Sequence, residues 1–213
     1  FATFMEQTYR EVSRGADEGT WDRMDAERQA IEADRRNRRP IVYNRYVKDP
    51  IELFFSGQIY PKGASALQML RHQVGDSLFW AGMHHYAASH MYGNVVTDDL
   101  KHAFEQTTGR NFKTFFDQWV YGAGVPVFRV SASYDSIAKR LSLHAAEIQP
   151  RDSLTGNFDV DVDVEVLTDG SPVKGAMSIR GGSGDLVLAL PSAPRAIEWN
   201  RGDWILGLTD FPR

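Results

Sequence analysis

The sequence has no cysteine and no long apolar run, and each absence excludes a class of site or protein. Without cysteine, the chain cannot form disulfides or thiolate metal sites. No apolar stretch approaches the roughly 20 residues that a membrane-spanning helix needs. The formal net charge of -4 gives no indication of binding to nucleic acid or to an anionic membrane. Apolar residues make up 42% of the chain and charged residues 24%, which is typical of a globular protein and indicates no particular compartment.

Several catalytic motifs are also absent from the 213 residues. The sequence contains no H-E-x-x-H zinc motif, no G-x-S-x-G nucleophile turn and no glycine-rich phosphate or dinucleotide loop. His84 and His85 are adjacent, and His90 follows five residues after His85, whereas residues that share a helix face are three or four apart. We therefore interpret these histidines as surface or partly buried residues, and a metal site is the less favoured alternative.

Two charged segments have the composition of ion sites, and a simpler interpretation is preferred for both. Asp159, Asp161 and Asp163 alternate with valines in FDVDVDVEVL, which predicts a strand whose carboxylates face solvent. Calcium instead requires several oxygens that converge from a curved loop. The basic segment ADRRNRRP has no glycine-rich loop beside it, so it is interpreted as part of a solvated or ion-paired connector over Arg35–Tyr46.

The hydrophobic periodicity changes near Gly122–Pro126 and divides the chain into two parts. Before this point, helical spacing dominates, and Thr97 and Gly109 are predicted to begin and end one of the helices. After Pro126 the period becomes two, with turn signals between short runs. We predict a multidomain fold, α then β: an all-α helical part over residues 1–123, followed by an antiparallel β-sandwich over residues 124–213.

Finer features are predicted within both parts. The opening FATFMEQTYREV has helical spacing, and a chain that begins inside such a segment is expected to be cut from a longer protein. In the second helix, Trp21, Met24, Arg28 and Ile31 are expected to form an apolar stripe. Near the C-terminus, a closing strand is expected over Trp204–Leu206.

The segment IYPKGASALQML places a tyrosine at the entrance to an apolar helix. Tyr60 precedes Pro61, and proline is well suited to the first turn of a helix. A helix entrance can hold the backbone of Tyr60 still while its hydroxyl projects into a cleft. From the pattern alone, a packed tyrosine is the preferred interpretation, and a functional tyrosine is the alternative.

The order of these segments resembles the M1 (gluzincin) family of zinc aminopeptidases. The resemblance rests on FATFMEQTYRE, on IYPKGASALQML with the helices after it, and on WVYGAGVPVFRV. Tyr60, Lys62 and Gly63 agree with the Tyr-Glu-Lys-Gly motif of the family. In this sequence Pro61 takes the place of the acidic residue. WVYGAGVP is similar to the family's exit from the catalytic domain into a β-sandwich, with Ala123 in place of a proline. The resemblance covers nearly the whole chain.

The resemblance implies a fold, an activity and one catalytic residue. The fold would be the C-terminal half of a thermolysin-like catalytic domain plus the following sandwich. The parent would remove N-terminal residues from peptides by attack of a zinc-activated water. Phe1-Ala2 resembles the Phe-Ala that follows the glutamate zinc ligand of the family, so the zinc ligands are expected upstream of Phe1. Tyr60 would hydrogen-bond the oxyanion of the tetrahedral intermediate.

Further expectations follow for the isolated chain. It should bind no catalytic zinc and show no turnover, because catalytic zinc usually needs three protein ligands. An apolar face should be exposed where the rest of the parent packs, which favours self-association. Two alternatives stay open: a non-catalytic M1-like scaffold or protein-interaction module, and a free-standing carbohydrate- or protein-binding unit.

Overall fold

The structure, a computed structural model, describes residues 1–43, 54 and 58–211. The helices are α1 (Ala2–Arg14), α2 (Ala16–Arg36), α3 (Gly63–Val74), α4 (Asp76–Ser89), α5 (Thr97–Thr108) and α6 (Lys113–Phe116). A π-helical turn, Gln58–Lys62, leads into α3, and a second one, Asp117–Tyr121, continues α6. The strands are β1 (Val127–Asp135), β2 (Arg140–Glu147), β3 (Val160–Leu167), β4 (Val173–Ile179), β5 (Ser183–Ala189), β6 (Ala196–Trp199) and β7 (Leu208–Asp210).

The strands form two sheets packed face to face, in the orders β5-β2-β1-β7 and β4-β3-β6. All of these pairings are antiparallel except that of β1 with β7, which is parallel. Alternate residues of a strand point to opposite faces of its sheet. Val162 and Val166 of β3 and Leu141 and Leu143 of β2 are thereby buried between the sheets. The predicted order, helices followed by a β-sandwich, is confirmed.

Aromatic residues from successive helices form the core of the helical part. Phe4 of α1, Phe79 of α4 and Phe104 of α5 are completely buried, and the ring centroid of Phe79 lies 5.3 Å from that of Phe4 and 5.4 Å from that of Phe104. A second cluster, mainly the sandwich core, extends into α2 and α3 and includes Ala30 and Met69. Packing therefore crosses the proposed domain boundary between residues 123 and 124. The boundary itself stays a prediction.

The ends of α5 match the prediction to within one residue. Gly109 has a φ of 68° and lies directly after the last helical residue, a conformation that glycine adopts without strain. At the other end, Thr97 is the first helical residue and not the cap. The Asp99 carboxylate accepts a hydrogen bond from the Val96 N–H at 2.8 Å, so an acidic side chain in the first turn satisfies this backbone group.

The predicted apolar stripe of α2 is wrong except at Ile31, which is buried. Trp21 is 68% exposed and Met24 45% exposed, whereas Arg23, Ala26 and Ala30 are buried. The Arg23 guanidinium lies 3.9 Å from the centroid of the Trp204 ring and donates to the Gly202 carbonyl at 2.9 Å. Small alanines and an arginine stem therefore make the packed face. The helix also runs to Arg36, so the predicted connector begins two residues later, at Asn37, and its residues 44–46 lie outside the described residues.

The closing strand predicted over Trp204–Leu206 is also wrong, because the last described strand is β7. The Asn200 amide explains the difference. Its Oδ1 accepts the Ile205 N–H at 3.0 Å, and its Nδ2 donates to the Ile205 carbonyl at 2.9 Å. Since a side chain satisfies both polar groups of Ile205, this segment forms a loop, and its Trp204 stacks on His72 of α3 at 4.9 Å.

Among the described residues, no helix combines the length and the hydrophobicity needed to cross a membrane.

Candidate functional site

The π-helical turn before α3 exposes Tyr60 and buries the polar residues on either side. Tyr60 is 46% exposed, whereas Gln58 and Lys62 are fully buried. The Tyr60 ring lies 6.5 Å from that of Phe54, centroid to centroid. Pro61 lies inside the turn, and its carbonyl accepts a hydrogen bond from Ser65 Oγ at 3.0 Å. The turn therefore presents one phenol to solvent at the entrance of a buried helix.

Two buried side chains tie this turn to other parts of the molecule. Gln58 Nε2 donates to the carbonyl of Asn37, the residue after α2, at 3.4 Å. Lys62 Nζ donates to the carbonyl of Gly124 at 3.0 Å. Because these anchors lie two residues before and two residues after Tyr60, they restrict the backbone that carries the phenol. The segment thus has the property expected of a fixed hydrogen-bond donor.

The Lys62 ammonium is part of a buried charged group at the junction with the sandwich. Asp34 of α2 is the carboxylate that interacts with it, and Asp34 Oδ1 also accepts the Gly124 N–H at 3.2 Å. Burial lowers the pKa of Lys62 to about 8, and Asp34 opposes this shift. Burial likewise raises the pKa of Asp34, and Lys62 is the first group that opposes it. The pair joins α2, the turn and residue 124.

An apolar cavity of about 370 Å³ lies beside the candidate tyrosine. Ile59, next to Tyr60, and Gly63, directly after the turn, line it, and so does Phe1 at the start of the described chain. The Phe1 ring stacks on that of Tyr86 at 5.8 Å. The volume lies within the range of small-molecule sites. The first residue of the chain and the residues next to Tyr60 therefore meet at one cavity.

The histidines considered as metal ligands do not converge. His85 Nε2 lies 2.9 Å from Gln106 Oε1 on α5, the His90 ring lies 5.5 Å from that of Tyr86, and His84 is exposed. Within residues 1–43, 54 and 58–211, no group of three or more His, Cys, Asp or Glu side chains is placed to hold a metal ion. The described residues therefore do not fit a catalytic zinc.

The acidic face of β3 differs from the predicted solvated face, because parts of it are covered. Asp161 accepts from Arg180 Nη2 at 2.8 Å, and Asp163 lies 3.3 Å from His72 Nε2. Glu165 is buried, and its carboxylate lies 3.3 Å from Arg201 Nε. Each of these carboxylates has a cationic or histidine partner from another element. These carboxylates thus take part in the packing of β3 against α3, the residue after β4 and the loop after β6.

A second carboxyl group of unusual pKa lies at the interface of α2 with the sandwich. Glu27 of α2 is close enough to share a hydrogen bond with Asp203, and Glu27 Oε1 accepts the Gly207 N–H at 3.0 Å. Burial raises the pKa of Glu27 to about 8, and the charge of Asp203 adds to the shift. Burial also raises the pKa of Asp203, and Arg23 opposes it.

Neither buried pair was anticipated from the sequence. Asp34 and Lys62 are far apart along the chain, and Glu27 and Asp203 are farther still, so no local spacing signals either contact. The local signal in the sequence is the motif around Tyr60, to which Lys62 belongs. Lys62 and Gly63 indicate the start of a helix, but the motif does not indicate which group Lys62 contacts.

Comparisons with known proteins find relatives of this chain among the M1 peptidases. Residues 1–119 match the model of the Peptidase family M1 domain. Aminopeptidase N of Streptomyces lividans is 36% identical over 97 residues, which are 46% of this chain and 11% of that protein. Tricorn protease-interacting factor F2 of Thermoplasma volcanium is 32% identical over 135 residues, 62% of this chain and 16% of that protein. The chain thus spans between a tenth and a sixth of the length of these curated relatives.

A solved structure extends the likeness to the sandwich. Legionella pneumophila aminopeptidase A in complex with aspartic acid superposes with a TM-score of 0.81, covering 99% of this chain and 23% of that one. Sequence identity is 15%, so this likeness shows the fold. The family model covers residues 1–119, more than half of the 213 residues, and the chain therefore belongs to peptidase family M1.

Proposed function

We propose that this chain is part of an M1 aminopeptidase, which removes N-terminal residues from peptides, and that Tyr60 is a catalytic residue of that enzyme. The observation that carries the proposal is the position of Tyr60. Its ring is exposed on a turn that two buried side chains anchor, next to Ile59, which lines a cavity together with Phe1. Curated relatives named aminopeptidases support the reaction class.

The proposed role of Tyr60 is to donate a hydrogen bond to the oxyanion. When water adds to the carbonyl carbon of a peptide bond, negative charge develops on the carbonyl oxygen. A donor held in place before the reaction stabilises this charge without reorganising at the moment of attack. The anchored turn of residues 58–62 supplies such a fixed phenol.

The proposed enzyme is zinc-dependent, as the family resemblance implies, with its metal ligands on residues outside this chain. The part of the chain described by the structure contains no group that fits a metal. Its own contribution is Tyr60, the apolar cavity and the sandwich.

The full-length protein provides the direct test. It is expected to contain one zinc per polypeptide and to hydrolyse aminoacyl chromogenic substrates, with loss of turnover after chelation. A full-length protein that folds, binds no zinc and hydrolyses no aminoacyl substrate contradicts the proposal. That result favours the alternative of a non-catalytic M1-like scaffold or protein-interaction module.

The isolated 213-residue chain is expected to be inactive. Purified alone, it should hold far less than one zinc per chain and show no hydrolysis above background, because three protein ligands are usual for catalytic zinc. Metal analysis by mass spectrometry and an aminoacyl chromogenic assay measure both quantities, with the full-length protein as positive control. Stoichiometric zinc that is lost on replacing His84, His85 and His90 by alanine shows the expectation to be wrong.

We also propose that the isolated chain self-associates through an apolar stripe on α1. Phe1, Met5, Tyr9 and Val12 follow at intervals of four, four and three residues and are 53%, 47%, 72% and 80% exposed. These intervals place them on one face of the helix. Large apolar patches of this kind are uncommon on monomeric proteins and mark surfaces of association.

Charged substitutions in this stripe test the proposal. The double variant Tyr9→Lys and Val12→Lys is expected to shift the chain toward monomer and to raise the dissociation constant roughly tenfold or more, since burying a large apolar side chain contributes about 1.5–3 kcal/mol. Sedimentation or small-angle scattering over a concentration series measures this. Ile137→Lys, at a 96% exposed site in the β1–β2 turn, is the control. A wild-type chain that stays monomeric at all concentrations contradicts the proposal.

A further inference from the structure

Lys62 is a buried lysine whose charge the core does not require. Its side chain is fully buried, and its ammonium reaches the Gly124 carbonyl at 3.0 Å, with Asp34 as the interacting carboxylate. Removing an ammonium from water is costly even when the ammonium is paired, and apolar residues of similar size are often at least as stabilising as a buried ion pair. Stability alone therefore does not explain the buried ammonium, which indicates a role in positioning the backbone.

Gly124, the acceptor of this bond, is held in place on several sides. Asp34 Oδ1 accepts its N–H at 3.2 Å while Lys62 binds its carbonyl, so both of its polar backbone groups are occupied. Its φ is +84°, which favours glycine, and a Cβ added there would lie 2.7 Å from Thr155 Cγ2. The Gly124 carbonyl is thus a fixed point on the boundary between the helical part and the sandwich.

The bond from Lys62 is the shorter of the two anchors of the turn. Lys62 Nζ lies 3.0 Å from its acceptor, whereas Gln58 Nε2 lies 3.4 Å from the Asn37 carbonyl. A hydrogen bond that involves a charged group is also roughly twice as strong as a neutral one. Since Tyr60 lies only two residues before Lys62 in the same turn, the lysine restrains the backbone that aims the phenol.

We propose that Lys62 is a positioning residue for Tyr60: through its bond to the Gly124 carbonyl, its ammonium fixes the turn that directs the Tyr60 hydroxyl. This proposal rests on the proposed catalytic function of Tyr60. A misplacement of about 1 Å in a reacting or stabilising group can reduce a rate about a hundredfold. Loss of the Lys62 anchor is therefore expected to reduce kcat between tenfold and a hundredfold, with KM changed by less than about twofold.

A double-mutant cycle in the full-length enzyme distinguishes positioning from a general structural role. The four proteins are wild type, Lys62→Met, Tyr60→Phe and the double variant, with methionine chosen to keep the buried chain length. Lys62→Met is expected to lower kcat strongly in the wild type but by less than about twofold in the Tyr60→Phe background, because no hydroxyl remains to be positioned. Lys113→Met, at an exposed lysine of α6, is the matched control.

The outcomes separate this proposal from the proposed function. An equal loss of kcat in both backgrounds overturns the positioning role and leaves the Tyr60 assignment intact. Full activity in Tyr60→Phe instead overturns the proposed function. If Lys62→Met does not fold, Asp34→Asn takes its place, since asparagine still accepts the Gly124 N–H but removes the charge that faces Lys62. The same non-additive pattern is then expected, and additivity overturns the proposal.

Discussion

Replacing Tyr60 by phenylalanine is expected to lower kcat of the full-length enzyme about a hundred- to a thousandfold. Removal of one oxyanion donor typically costs about 2.7–4 kcal/mol in the barrier. Phenylalanine keeps the ring that lies 6.5 Å from Phe54, so the turn is expected to retain its packing. The effect should fall on kcat, with KM within about twofold of wild type, because the bond forms to the developing charge and not to the ground-state carbonyl.

Steady-state kinetics with an aminoacyl chromogenic substrate, together with thermal unfolding, measure this expectation. Tyr134→Phe, at a tyrosine of β1 in the sandwich, is the matched control and should leave kcat unchanged. A Tyr60→Phe enzyme with wild-type kcat shows that the phenol does not bind the oxyanion. A fall in kcat accompanied by a large loss of thermal stability points instead to a packing role, the interpretation that the sequence pattern alone favoured.

The division into a helical part and a sandwich was predictable because it depends on local periodicity. Val162 and Val166 alternate with charged residues along β3, and both valines are buried in the structure as expected. The stripe of α2 was predicted wrongly at Trp21 and Met24, because large apolar side chains do not by themselves mark the face of a helix that packs. The packed face instead consists of Ala26, Ala30, Ile31 and the stem of Arg23.

The candidate site was only partly predictable. The motif around Tyr60 identified the residue through its resemblance to a family, while the pattern alone preferred a packed tyrosine. Its 46% exposure depends on the burial of Gln58 and Lys62, and their partners Asn37 and Gly124 come from distant segments. Such contacts form only when α2 and the junction fold against the turn, and a single sequence contains no local signal for them.

The carboxyl pair of Glu27 and Asp203 leads to the second large prediction, which concerns stability. The pKa of Glu27 is about 8 in the folded chain, above its ordinary value of 4.5. The folded state therefore binds the proton more tightly than the unfolded state. The stabilisation from protonated Glu27 is fully present below pH 4.5 and is lost as the pH rises through about 8. With 1.36 kcal/mol per pKa unit, the loss amounts to up to about 5 kcal/mol.

The groups around Glu27 determine the sign of the effect. Asp203 faces it from the loop after β6 and disfavours a second negative charge, while the Gly207 N–H donates to it and partly favours ionisation. Arg23, on the same helix as Glu27, lowers the pKa of Asp203 and so helps to keep that partner ionised. The pair therefore holds a proton at neutral pH, and its removal leaves two half-buried charges of like sign.

Glu27→Gln is expected to remove this pH dependence. Glutamine is neutral at every pH, its Nε2 can donate to Asp203, and its Oε1 can accept the Gly207 N–H. The free energy of unfolding of the variant should equal that of wild type near pH 4.5 and exceed it by about 3–5 kcal/mol above pH 8. Urea denaturation followed by circular dichroism across this range measures the free energy of unfolding.

Glu32→Gln, at an exposed position of α2, is the control and should change stability by less than about 1 kcal/mol at each pH. Curves for wild type and Glu27→Gln that stay parallel from pH 4.5 to 9 show that Glu27 does not hold the proton, because only a group whose pKa differs between the folded and unfolded states makes stability depend on pH.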